Sequence, residues 1–373
     1  MPILTLSETA LRQNYRALAR RAGGTLIPVL KADAYGHGAC FAARALEKEG
    51  ARLFAVATAF EAKELLFCKE LFTYPRIFVL GAVDREELLP LCTSRTVLSV
   101  HSYAYARTLS RTLAKYKASG VLGEQFSLCV HAKLETGMYR LGMSEREWHA
   151  LRTLPHLHVE GAYSHLGTPA HPWRTAGQLL RFHRSLAREK KSLFTHLCAG
   201  EALLRYGTLG CKGARAGLAL YGVLPTGVRA EALSPVMRFE GCVLAVKEVP
   251  RGARVGYGGV RARRRMRLAV LDAGYADGVP TTASHGGFLT LNGRRCPVFG
   301  QVCMDRTSIE IGDLPLSEGE CVPFFGVRAG DTAAFAAACG ISPYPLLCLR
   351  SARTQRIFCE QLDTGHARVY NGI

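Results

Sequence analysis

The 373-residue chain is short of several features that would place it in whole classes of protein. No apolar run comes near the roughly 20 residues that a membrane-crossing helix needs. The opening residues, MPILTLSETALRQNYR, show no basic stretch leading into a long apolar core, so no secretory signal is expected and the cytoplasm is the expected compartment. Low-complexity tracts and internal repeats are missing. Cysteine is plentiful at 13 residues, but the number is odd and no C-x-x-C pair occurs. A structural zinc site and a disulfide framework are therefore disfavoured, no metal is expected, and reduced thiols fit better.

Acidic residues are also in deficit, 30 against 48 basic ones, for a formal charge of +18. Such an excess raises the question of a nucleic-acid partner. The cations are spread along the chain, however, and the one dense run, RARRRMR (261–267), leads straight into the apolar, strand-like LAVLDAGYA. A basic background suited to an anionic cofactor or substrate, or a plain compositional bias, is the better reading. Neither nucleic acid nor a membrane is expected as a partner.

With 48% hydrophobic residues, the chain can build a large domain and a smaller one. Apolar runs bounded by turn residues recur as LIPVL (26–30), RLFAVAT (52–58), RIFVLG (76–81), RTVLSV (95–100), FSLCVHAKL (126–134), HVEGAYSHL (158–166), SLFTHLCA (192–199) and ARAGLALYG (214–222). Helix-like stretches separate them. ACFAARALEKEG ends on Gly50 as a C-cap. SYAYARTLSRTLAKYKASG opens on Ser102 as an N-cap. QLLRFHRSLAREKK puts Leu179, Phe182 and Leu186 on one face above a basic last turn. Eight nearly continuous apolar strands separated by helices predict an α/β fold with a (β/α)8 TIM-like barrel. After about residue 228 short strands follow one another, with helical spacing again only near TAAFAAACG. The expected domains are a 1–228 barrel and a 229–373 mainly β domain, with the first strand open to joining the latter.

In such a barrel, functional groups lie where strands end. Polar residues there include Lys31, Lys133, His165, His196 and Arg215. Each has an ordinary structural alternative: a strand-end lysine commonly reaches to solvent, and a strand histidine is commonly just hydrogen-bonded. As a set on one rim they carry more weight. A desolvated rim lysine such as Lys31, within VLKADAYGHG (29–38), can form a Schiff base. The loops after the seventh and eighth strands carry Gly200 and Gly217, where backbone N–H groups can approach a phosphate. Lysine and phosphate cradle together suggest pyridoxal phosphate.

Six segments in order carry a resemblance: VLKADAYGHG, HAKLETGMYRLG (131–142), GARAGLALYG (213–222), RVGYGG (254–259), GYADGVP (274–280) and NGRRCPVFGQVCMDRTSI (292–309). The chain resembles the alanine racemase family over nearly its whole length. The resemblance implies pyridoxal 5'-phosphate as cofactor, alanine as substrate, and a two-base racemisation that supplies D-alanine for cell-wall synthesis. It implies a head-to-tail homodimer whose sites combine one barrel with the other chain's β domain. Lys31 would hold the cofactor and act as one base; Tyr257 would be the opposite base, from the partner subunit. Arg215 would face the pyridine nitrogen and hydrogen-bond His165. Tyr35, Gly200, Gly217, Leu218 and Tyr344 would hold the phosphate. Arg140 and the backbone of Met304 would receive the substrate carboxylate, Tyr275 would be an entry residue, Asp305 a second-site residue, and Lys133 would be carbamylated.

The sequence departs from the family pattern in places. His196 is followed by Leu197, Cys198, Ala199 and Gly200 where the family has H-x-x-N-S, so one phosphate-binding hydroxyl is missing. Glu135 replaces an aspartate, Tyr139 a small residue and Gln301 an arginine; SHLGTPAHP reshapes a rim loop. A racemase of broader specificity and a decarboxylase of the same fold type are the alternatives, the latter at odds with Tyr257.

Overall fold

The structure, a computed structural model, describes residues 1–189, 192–224, 228, 233–348, 351 and 353–360. Two compact units divide the chain. One holds Tyr15–Ala34 and Gly38–Leu220; the other holds Met1–Asn14, Tyr35–His37 and the chain from Tyr221 onward. The boundary expected at 228–229 falls where residues 225–227 and 229–232 lie outside the described residues.

All eight apolar runs form strands of the first unit: Thr25–Pro28, Leu53–Val56, Arg76–Val79, Thr96–Val100, Leu128–Lys133, Leu157–Tyr163, Phe194–Ala199 and Gly213–Ala216. They pair in parallel from the second round to the eighth and on to the first. A bridge between Val29 and Ala55 nearly closes the barrel, with the Leu30 N–H donating to the Ala55 carbonyl at 2.7 Å. Helices lie between strands because their caps and apolar faces allow little else. The Ser102 hydroxyl accepts the Tyr105 N–H at 3.2 Å and starts Tyr103–Ala118 where the sequence put it. Two expectations shift. Helix Ala39–Glu47 stops before Gly50, which instead takes φ +88° in the following turn. Helix Pro172–Leu186 starts earlier than expected on a proline at its first position. It buries Phe182 but only half-buries Leu179 and Leu186; Lys190 and Lys191 of its expected basic end lie outside the described residues.

The barrel interior is unusual in its chemistry. Phe78, His131, Tyr163, Phe194 and His196 form a ring cluster, with centroid separations between 4.8 and 5.8 Å. Room for the His131 ring comes from a missing side chain: a Cβ on Gly161 would lie 2.5 Å from His131 Cδ2 and 2.7 Å from the Phe194 carbonyl oxygen.

The second unit is mainly β. Its sheet runs Thr307–Glu310, Met266–Leu271, Met237–Val249, Ile3–Ser7, Gln355–Cys359, with Cys321–Phe325 also paired to the long strand. The expectation of reduced thiols throughout is corrected here. Cys242 and Cys321 form a disulfide because antiparallel pairing places them directly opposite each other, a juxtaposition that spacing along the chain did not show. Three of the five arginines in the dense basic run have acidic partners, with Arg264 on Glu310 at 2.5 Å and Arg265 and Arg267 sharing Glu248 at 3.4 and 3.5 Å.

Gly161→Ala should destabilise the barrel by about 1–3 kcal/mol, as overpacking does in a core that cannot give. A urea unfolding midpoint unchanged from the parent would show that the His131 ring is not held against that backbone.

Candidate active site

Lys31 lies three residues beyond the end of the first barrel strand, which lies between the second and the eighth. The Val29 N–H donates to the Ala216 carbonyl at 2.8 Å on one side, and the Leu30 N–H to Ala55 on the other. Beyond Lys31 the backbone turns left-handed for four successive non-glycine residues, with φ of 50°, 50°, 57° and 50° from Ala32 to Tyr35. Each such residue costs roughly 1–2 kcal/mol, a cost proteins carry mainly at functional sites. The turn is tied down locally. Ala32 donates to the Glu61 carboxylate at 2.7 Å, and the Asp33 carboxylate accepts from the Ala39 N–H. Gly36 and Gly38, on either side of His37, also take positive φ, so the left-handed run begins in alanine, aspartate and tyrosine before the glycines are reached.

Arg215, in the eighth strand, is only 4% exposed. Its Nη1 donates to His196 Nδ1 at 2.6 Å and to the His196 carbonyl at 3.1 Å. Its Nη2 donates to the Ser164 and Leu197 carbonyls at 2.7 and 3.2 Å and to His165 Nδ1 at 3.3 Å. The remaining donor, Nε–H, has no acceptor among the described residues. Burial, then the charges of Arg215, Arg140, Lys133 and Lys31, hold His165 down to about 3, so it is a neutral acceptor. Lys133 is buried at the end of the fifth strand, its Nζ 5.8 Å from the centroid of the Tyr163 ring, which Arg215 also faces at 5.2 Å. Burial, with Arg140 and Arg215 adding to it, pushes Lys133 down to about 8. Glu135 does not pair with it: one carboxylate oxygen accepts the N–H groups of Gly137, Met138 and Tyr139. Arg140 is exposed.

Gly200 opens a short helix, Gly200–Tyr206, at φ +36°, with nothing within 4 Å of where a Cβ would stand. Gly217 and Leu218 follow the eighth strand at the turn Leu218–Tyr221, where the Leu220 N–H returns to the Gly217 carbonyl at 2.8 Å. The barrel unit therefore brings Lys31, Lys133, His165, Gly200, Arg215, Gly217 and Leu218 to its strand ends. These residues fit pyridoxal phosphate. The open backbone at Gly200 suits a phosphate, and the spare Nε–H of a buried guanidinium suits a ring nitrogen that only accepts.

The β unit carries the other expected residues. Tyr35 is buried against Tyr221, and its ring centroid lies 6.1 Å from that of the half-exposed Tyr344. Tyr257, 71% exposed, tops a hairpin between Arg254–Val255 and Val260–Arg261, flanked by Gly256, Gly258 and Gly259 at positive φ. Met304 and Tyr275 are exposed on adjoining backbone, where the Tyr275 N–H meets the Cys303 carbonyl at 2.9 Å and the Ala276 N–H meets that of Met304 at 3.1 Å. Arg353, which sequence reading passed over, fixes this loop. It binds Asp277 at 2.8 and 3.1 Å, Asp305 at 2.6 Å and the Met304 carbonyl at 3.4 Å. Its only signal in the sequence was an arginine following a helix in a region with little periodicity.

Known proteins give the same picture. A family model described as alanine racemase, N-terminal domain, matches residues 6–225, and one described as alanine racemase, C-terminal domain, matches 236–358. The chain is 35% identical over 359 residues to an alanine racemase of Xylella fastidiosa, covering 91% of this chain and 92% of that one. It is 32% identical over 363 residues to an alanine racemase of Corynebacterium glutamicum, covering 94% and 97%. Among solved structures, an alanine racemase of Clostridium difficile superposes with a TM-score of 0.85 at 26% identity, covering 98% of each chain. That of Bartonella henselae, with covalently bound pyridoxal phosphate, gives 0.85 at 27%, covering 96% of this chain and 99% of that one. With both family models matched in order on a barrel and a mainly β unit, the chain belongs to the alanine racemase family.

Proposed function

We propose that the protein interconverts L- and D-alanine using pyridoxal phosphate held at the carboxyl-terminal rim of the barrel. The observation that carries this is the buried Arg215 guanidinium, with one N–H to spare, on the rim that also bears Lys31. Bound pyridoxal phosphate supplies a sink for the electron pair left when the Cα proton departs. The chain's own groups do the rest. Lys31 holds the cofactor and moves a proton at Cα on one face. Tyr257 of the partner subunit moves a proton on the other, because inversion takes a proton from one side and returns one to the opposite side. Head-to-tail homodimerisation brings the exposed Tyr257 hairpin to the other chain's barrel. The backbone at Gly200, Gly217 and Leu218 and the hydroxyls of Tyr35 and Tyr344 hold the phosphate. Arg140 and the Met304 N–H receive the substrate carboxylate. Arg215 donates to the ring nitrogen and keeps its own proton, since a guanidinium stays protonated at working pH. The D-alanine formed serves cell-wall synthesis.

Lys133 carries a carbamate in this reading. A neutral amine adds carbon dioxide, forming an N–C bond and releasing one proton. A lysine held at about 8 offers far more neutral amine near neutrality than one at its ordinary value. The resulting anion lies near Arg140 and Arg215, the two cations that depress the ammonium form.

Lys31→Ala should abolish borohydride-fixed cofactor, and Tyr257→Phe should retain the cofactor while slowing racemisation about 10²–10⁴-fold. Cofactor fixed at another lysine, or an undiminished rate for Tyr257→Phe, would overturn these assignments. Labelled bicarbonate should give one carbamate resonance in carbon NMR that strengthens as pH rises through about 8 and is absent in Lys133→Ala. Without carbon dioxide, the unmodified lysine titrates lower folded than unfolded. The unfolded chain then binds more protons between about 8 and the ordinary lysine value, so stability should rise with pH across that window. A flat profile that Lys133→Ala does not alter would contradict the buried amine.

A further inference from the structure

A chain of hydrogen bonds runs from Arg215 down through the barrel interior. His196 Nε2 lies 2.9 Å from His131 Nδ1, and His131 Nε2 lies 3.3 Å from Glu160 Oε1. The same Glu160 oxygen pairs with Arg76 Nη2 at 2.8 Å, and Arg76 is the first residue of its strand. The chain therefore spans from the carboxyl-terminal rim to the amino-terminal end of the barrel.

Its protons can be placed one by one. A guanidinium only donates, so the 2.6 Å contact is a hydrogen bond only when His196 Nδ1 carries no proton and accepts. The neutral ring then has its proton on Nε2, which donates to His131 Nδ1. That nitrogen accepts, so His131 is protonated on Nε2 and donates to Glu160, a carboxylate that only accepts. One arrangement satisfies every link, and every link points the same way. The titration behaviour agrees. Burial lowers both imidazoles, keeping them neutral. Burial alone would raise Glu160, but hydrogen bonds from His131 and Arg76 outweigh it and hold the carboxyl at about 2.

Packing removes the other freedoms. His196 stacks on Tyr163 at 4.8 Å and 6° between planes, and the Tyr163 hydroxyl is tied to Ser99 at 2.6 Å. His131 is seated on Gly161 and against Phe78 at 4.9 Å. With both rings packed and hydrogen-bonded in this orientation, the variable is the tautomer. If His131 took its proton on Nδ1, His196 would have to accept at Nε2 and carry a proton on Nδ1, facing a guanidinium N–H 2.6 Å away.

We propose that Glu160 is a positioning residue: by accepting from His131 it fixes the direction of the chain and so holds Arg215 in place from the far end of the barrel. The inference rests on the reading of Arg215 as the partner of the cofactor ring, but the chain itself can be tested without cofactor. Nitrogen-15 NMR of histidine-labelled, cofactor-free protein should find His196 unprotonated at Nδ1 and His131 unprotonated at Nδ1. Glu160→Ala should leave a mixture of tautomers and, in the loaded enzyme, lower kcat about tenfold with KM within about twofold, as loss of an outer partner does elsewhere. Glu160→Gln, whose amide oxygen can still accept from both His131 and Arg76, should restore the single tautomer and most of the rate. Should Glu160→Ala fail to fold, His131→Gln, which can accept from His196 and donate to Glu160, should outperform His131→Leu, which can do neither. The proposal is overturned if His196 carries its proton on Nδ1, if Glu160→Ala alters only thermal stability, or if Glu160→Gln is as impaired as Glu160→Ala. Absence of racemisation in the parent enzyme would count against the function alone, because the tautomer result stands apart from it.

Discussion

A guanidinium buried inside the barrel is the constraint from which much of the first unit follows. Burying a charge is costly unless its donors are met, and the two terminal nitrogens of Arg215 are met by three backbone carbonyls and two imidazoles. None of these partners is anionic. The cation therefore requires neutral, correctly oriented rings, and the interior supplies them: His165 and His196 directly, and His131 behind His196. A core of leucine and valine could not do this. The aromatic cluster of Phe78, Tyr163 and Phe194 packs as a hydrocarbon core would while holding the imidazoles in register. Burial is the main reason His165 and Lys133 are lowered, and the charges of Arg215 and Arg140 add to it at both.

The two units offer contrasting kinds of support. In the barrel, groups are fixed by strand register and burial, and even the strained left-handed run after Lys31 is tied by Glu61 and Asp33. In the β unit, Tyr257, Tyr275 and Met304 are exposed on a glycine-rich hairpin and a loop. The loop of Met304 and Tyr275 is tied by Arg353, which gathers Asp277, Asp305 and the Met304 carbonyl around a single guanidinium. An arginine thus anchors each unit, one buried among neutral acceptors and the other exposed among carboxylates.

The sequence made the barrel legible because parallel strands buried on both faces read as continuous apolar runs, and all eight were recognisable. Strand-end polar residues then marked the rim, and Ser102 marked a helix start. What stayed hidden depended on contacts between residues far apart in the chain. His196 stood out as a polar residue near a strand end, but its place between Arg215 and His131 follows from strand order and the bulge at His131. Glu160 lies inside the run HVEGAYSHL, where nothing local pointed to His131 or Arg76 as its partners. The Cys242–Cys321 pairing depended on register, and the helix Pro343–Cys348 was too short to show periodicity. The left-handed turn was missed for a different reason. Local preference argues against it in alanine, aspartate and tyrosine, and tertiary contacts overrode that preference.

The central claim is that a proton leaves one face of Cα and another arrives on the opposite face. The most direct measurement is to incubate L-alanine with the holoenzyme in deuterium oxide and follow Cα deuterium in each enantiomer as the mixture approaches equality. The account predicts that D-alanine forms with deuterium at Cα and that the two enantiomers converge on equal amounts. L-alanine that keeps both its configuration and its Cα hydrogen would contradict it.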